Sequence, residues 1–117
     1  MSLPFLHADP SRVTFYGYDS GCYMAQQMSI IYSEDVKGIS VAACGVYGES
    51  STNRYNEEFK LSDERLTELR DEIHSKYWQG SIDYFGNIQG QVVYAWNAES
   101  DTTSHYENQW AIKRLYD

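Results

Sequence analysis

A chain of 117 residues makes one small domain, and at that size a substantial share of its apolar surface stays uncovered. Hydrophobic residues make up 42% and aromatics 15%, with 11 tyrosines, a globular composition and not a disordered one. Seventeen acidic against 9 basic residues give a formal charge of −8, which repels phosphate backbones and anionic headgroups and argues against nucleic acid or membrane surfaces as partners.

The amino terminus, "MSLPFLHADP", has no basic region and no long apolar run, so it shows neither a secretory signal nor a membrane anchor. Read from Met1 the chain is intracellular; a mature secreted chain carrying an added methionine would read the same way. "RVTFYG", residues 12 to 17, is β-branched and aromatic and predicts a buried strand. "SGCYMAQQMSIIYSE" follows with Met24, Met28 and Ile31 at intervals of three and four, the pattern of a helix. "GISVAACG", residues 38 to 45, is a second short apolar run bounded by glycine, and the three segments together form a βαβ unit with parallel strands.

Residues 46 to 60 read as a loop. A second helix follows, with Ser62 as its cap, Asp63 and Glu64 in its first turn, and Leu61 and Leu66 at hydrophobic-staple spacing. Its apolar stripe is Leu66, Leu69, Ile73 and Tyr77, and Gly80 stops it. "QVVYAWN", residues 91 to 97, is a third strand, and Ser104 with Glu107 forms a capping box that opens a last helix through Trp110 and Leu115. The whole is a single partial domain, 1–117.

Sites in open α/β sheets form beyond the carboxyl ends of the strands. Three stretches fall there: "GYDSGC", "CGVYGES" and "NAESDTTSH". Gly17-Tyr18-Asp19-Ser20-Gly21 has the glycine spacing of a nucleophile elbow between a strand and a helix, with Asp19 at the tip and Ser20 after it. Asp101 follows a later strand, where a hydrolase of this chain order carries its acid. Asp19, Asp101 and Ser20 are therefore the candidate catalytic positions. His7 precedes the first strand, His74 sits mid-helix, and His105 lies four residues past Asp101, near the mouth of such a site. Asp71 and His74 share a helix face at i and i+3 but have no further ligand, so no metal is expected, and nothing calls for a cofactor. Cys22 and Cys44 come to one edge of the sheet and can be either a disulfide or two buried thiols.

These residues carry a family likeness. "SLPFLHADPSRVTFYGYDSGCYMAQQMSIIYSEDVKGISVAACGVY" resembles the amino-terminal stretch of fungal-type poly(3-hydroxybutyrate) depolymerases, and "VVYAWNAESDTTSHYENQ" resembles the segment around their acid aspartate. The most specific pieces are Gly17, Ser20, Gly21, Tyr23, Met24, Ala25, Gln26, Tyr32, Ser33 and Ser100-Asp101-Thr102-Thr103. The resemblance implies a partial α/β-hydrolase-like three-layer fold, with a short parallel sheet of about three strands and flanking helices, circularly permuted relative to other hydrolases. It also implies secretion and serine-esterase chemistry on polyesters. It places the family nucleophile on Asp19 and the family histidine beyond the acid, outside these 117 residues.

The expectation is thus a degenerate, inactive depolymerase-like domain that serves as a binding or structural subunit. Other protein chains would cover the free edge of the strand at residues 12 to 17. The alternative is an active carboxylic-ester hydrolase whose histidine and remaining strands lie elsewhere; a third reading has Asp19 attack a saturated carbon.

Overall fold

A computed structural model describes residues 4–49, 61–101 and 103–117. Most of the anticipated 46–60 loop, and Thr102, lie outside the described residues. The strands are β1 (Val13–Tyr18), β2 (Val36–Ala42) and β3 (Val92–Trp96); the helices are α1 (Ser20–Ile31), α2 (Asp63–Trp78) and α3 (Asn108–Tyr116). The three strands form one sheet in the order β1-β2-β3, both pairings parallel. The helices flank this sheet.

Alternation along the strands sets up two unlike faces. Phe15, Ile39, Val41, Val93 and Ala95 turn toward the helices and join the core with Ala25, Ile30, Ile112 and Leu115. On the other face the register lines up Tyr16, Ser40 and Tyr94 in one row and Tyr18, Ala42 and Trp96 in the next. That face is open: Tyr16 is 74% exposed, Tyr94 64% and Trp96 52%.

The helical spacing of Met24, Met28 and Ile31 is borne out, but it does not mark the buried side of α1. Met24 is exposed, and the residues turned inward are Cys22, Ala25, Gln26, Ser29 and Ile30. Two of these five are polar, and both are satisfied. Gln26 Nε2 donates to the Gly45 carbonyl at 2.9 Å and its Oε1 accepts from the Tyr47 N–H at 2.9 Å. Ser29 Oγ donates to the Gln26 carbonyl at 2.9 Å and shares a hydrogen bond with the Tyr116 hydroxyl at 2.6 Å.

α2 begins and ends as its sequence signals. Ser62 Oγ accepts from the Arg65 N–H at 3.2 Å, and Leu61 and Leu66 are both buried. Gly80 takes a left-handed φ of 74° past the last turn, where its N–H donates to the Tyr77 carbonyl and that of Ser81 to Lys76. Arg65 pairs with Glu68, holds the buried Glu49 at 2.8 Å and reaches Glu72, and this carboxylate set raises its already high pKa. Between α2 and β3 lies a short 3-10 turn, Phe85–Gly90, that buries Ile88; no sequence signal announced it.

The capping box does not form. α3 starts at Asn108, and Glu107 occupies its cap position with helical backbone angles and no side-chain cap bond. Ser104 is committed elsewhere: its hydroxyl accepts from Asn97 Nδ2 at 3.4 Å and its carbonyl from the same group at 2.9 Å, while its N–H donates to Asp101 Oδ1. Bonds within the turn after β3 take the place of the cap, and Ser104 is buried there.

Burial pushes the Tyr116 phenol well above the ordinary tyrosine range, only partly offset by its bond to Ser29. A neutral phenol held this way contributes stability that is fully present below the unfolded-state pKa of about 10. That contribution is lost as pH rises beyond it, because the unfolded chain ionises first. Chemical denaturation between pH 8 and 11 should therefore show stability falling more steeply in the native chain than in Tyr116→Phe. Parallel slopes for the two would contradict the assignment.

Candidate functional site

β1 and α1 are joined by a single residue, Asp19, which takes φ 53° and ψ −116°. This conformation is costly for any residue with a side chain, by about 1–3 kcal/mol, and persists only where the surroundings fix it. Gly17 supplies one such restraint. A Cβ built there would stand 2.1 Å from the Gly21 carbonyl oxygen and 2.6 Å from the Cys22 nitrogen, so the first turn of α1 sits directly on the strand. Gly21 is different, since a Cβ there meets nothing within 4 Å. Of the two glycines in the elbow pattern, only Gly17 is required by space.

Backbone bonds extend the sheet past its strands on this edge. The Asp19 N–H donates to the Ala42 carbonyl at 3.0 Å, and the Ala43 N–H to the Trp96 carbonyl at 3.2 Å. Ala43 is also left-handed, with φ 57°. Two strained residues thus stand on adjacent strand ends. Ala43 carried no sequence signal, because nothing in an alanine announces such a backbone.

Asp19 is half-buried and lies at the amino terminus of α1, where the helix dipole favours a negative charge by roughly 0.3–1 kcal/mol. Ser20 opens the helix and is exposed. Asp101 lies in the turn that leaves the carboxyl end of β3, and its Oδ1 accepts from the N–H groups of Thr103 at 2.8 Å and Ser104 at 3.0 Å. One carboxylate oxygen is thereby used to shape its own turn.

The histidines make local contacts. His105 stacks on Tyr106 with centroids 5.0 Å apart, and its Nδ1 accepts from the Glu107 N–H. His74 packs its ring 4.0 Å from that of Phe85, and His7 lies against Phe5. Among the described residues no group of three or more His, Cys, Asp and Glu side chains is placed to hold a metal ion.

The loop after β2 is held from the helix side. Cys22 and Cys44 form a disulfide with Cα atoms 6.1 Å apart, and the Gly45 N–H donates to the Tyr23 hydroxyl at 2.9 Å. Gln26 fixes Gly45 and Tyr47 from beneath. Cys44 lies two residues past the strand, because β2 ends at Ala42.

The elbow yields a direct test. Gly17→Ala should destabilise by about 1–3 kcal/mol or prevent folding, because the added methyl collides with backbone that cannot step aside. Gly21→Ala should be neutral or stabilising by up to about 1 kcal/mol, through helix propensity alone. Urea unfolding of the pair checks the contrast, and equal effects would contradict the close approach.

No family model matches the chain. It is 30% identical over 104 residues to a polyhydroxybutyrate depolymerase of Talaromyces funiculosus, covering 87% of this chain and 30% of that protein. Among solved structures it is similar to a serine-to-alanine variant of PHB depolymerase complexed with an R3HB trimer, with a TM-score of 0.79 and 26% identity. It is similar too to PHB depolymerase from Penicillium funiculosum, with a TM-score of 0.78 and 26% identity. In both cases 99% of this chain matches 36% of the other. The chain therefore spans about a third of the length of its relatives, and over that stretch its sequence and its α/β-hydrolase-like fold are similar to those of polyhydroxybutyrate depolymerases.

Proposed function

We propose that this chain is a catalytically silent depolymerase-like module that acts as a binding or structural subunit of a larger assembly. The observation that carries the reading is Asp19, a carboxylate at the strained tip of the elbow. Attack by a carboxylate on an ester carbonyl forms a mixed anhydride, which is more reactive than the ester it came from, so the step gains little. Activation of Ser20 would need a base beside it, and its place at the start of α1 is that of a residue offering its N–H rather than its hydroxyl.

The subunit role rests on the sheet. β1 is the end strand of the described sheet, and its sequence, VTFYGY, carries no charge to discourage another strand from pairing. Tyr16, Tyr18, Val92, Tyr94 and Trp96 add an exposed apolar face beside it. A further polypeptide segment that pairs with β1 and lies across this face would remove both liabilities. The second reading, an ester hydrolase completed by strands and a histidine from outside this chain, draws support from the one-third coverage of the relatives.

Catalysis separates the two. The purified chain should hydrolyse neither p-nitrophenyl butyrate nor an R3HB trimer faster than its Asp19→Ala variant. Turnover that disappears in that variant would establish an enzyme.

Association tests the subunit role independently. By size-exclusion chromatography with light scattering, the chain alone should be oligomeric or poorly soluble. A monomer that melts cooperatively without a partner would overturn this part of the reading.

A further inference from the structure

We infer that the Cys22–Cys44 disulfide is a redox-dependent latch on the elbow: closed, it holds Asp19 and Ala43 in their left-handed conformations, and reduction lets both relax. Two non-glycine residues with φ of 53° and 57° on neighbouring strand ends need restraints on both sides. The disulfide joins those sides. Cys44 directly follows Ala43, and Cys22 donates its N–H to the Asp19 carbonyl at 3.1 Å, so the bond spans from one strained turn to the other. It closes a loop with a sequence separation of 22, which encloses nearly all of α1 and the whole of β2. The latch is a property of the elbow itself, independent of any catalysis there.

Burial decides how it opens. Cys22 is 0% exposed and Cys44 3%, so a reductant reaches sulfur only after the first turn of α1 parts from the loop after β2. A dithiol such as dithiothreitol then attacks one sulfur through its thiolate and forms a mixed disulfide. Its second thiol closes the reductant's own ring, and Cys22 and Cys44 leave as two thiols, with two electrons and two protons transferred. Gln26 Nε2, 3.5 Å from each sulfur and anchored on Gly45, keeps the pair facing each other, so air or an oxidised dithiol can re-form the bond.

Three readouts test the latch. Alkylation under denaturing conditions, followed by intact mass, should label neither cysteine in the oxidised chain and both after reduction. Reduction should run about tenfold or more faster in mild denaturant than in buffer, because it waits on local opening. Hydrogen exchange should then show the amides of Asp19, Cys22, Ala43 and Gly45 exchanging about tenfold or more faster in the reduced chain while those of α2 hold, with Tm lower by about 10–20 °C. The double variant Cys22→Ala with Cys44→Ala should behave as the reduced chain and ignore reductant; if it does not fold, the reduced native chain carries the same comparison. Two labelled cysteines in the oxidised chain, or elbow amides that exchange alike in both redox states, would overturn the proposal.

Discussion

The site depends on the absence of a side chain at Gly17. Because that α-carbon bears only hydrogen on the helix side, the backbone of Gly21 and Cys22 can rest on β1, and α1 can begin one residue after the strand ends. Everything at the carboxyl edge inherits this closeness. Asp19 must bridge the two elements in a left-handed conformation, its N–H meets the end of β2, and β2 in turn passes the same kind of bond to β3 through Ala43. A fold assembled from parallel strands collects its three loops on one edge, and here the collection is stitched by backbone bonds before any side chain contributes.

Close packing of that kind explains the unusual inner face of α1. Bulky apolar residues would hold the helix off the sheet, whereas Cys22, Ala25 and Ser29 let it approach. The cost is buried polarity, and a buried amide left unpaired costs about 1–3 kcal/mol. Gln26 avoids that cost by pairing both ends of its amide with backbone of the loop after β2, and Ser29 by joining Gln26 to Tyr116. The end of β2, α1 and α3 are thereby tied through hydrogen bonds as well as through the apolar core. Gln91 adds a further tie, donating to the carbonyls of Ser29 and Val36 at the far end of the sheet.

The opposite face of the sheet shows what the packing leaves undone. Tyr16 and Tyr18 of β1 line up with Tyr94 and Trp96 of β3 across Ser40 and Ala42 of β2, yet the described helices leave these rings open to solvent. The sheet thus has an open apolar face on one side and a packed core on the other, in a chain that matches about a third of the length of its relatives.

Much of this was legible in the sequence, because it follows from short-range rules. Alternating β-branched and aromatic runs gave the three strands to within two or three residues, Ser62 and Gly80 bounded α2, and the G-x-D-S-G spacing located the elbow. Contacts beyond the local pattern decided the rest. The inward face of α1 was not legible in the spacing of Met24, Met28 and Ile31, because burial of Gln26 depends on Gly45 and Tyr47, about twenty residues away. Ser104 left its capping role for Asn97 and Asp101, whose positions are set by where β3 ends. The pairing of the cysteines stayed open in the sequence, since the expected crossover brings residues 22 and 44 to one edge whether they are bonded or free, and only the tertiary structure joins them. Local propensity records what a segment can form alone; which polar groups are buried, and against what, is settled only when strands far apart in the chain lie side by side.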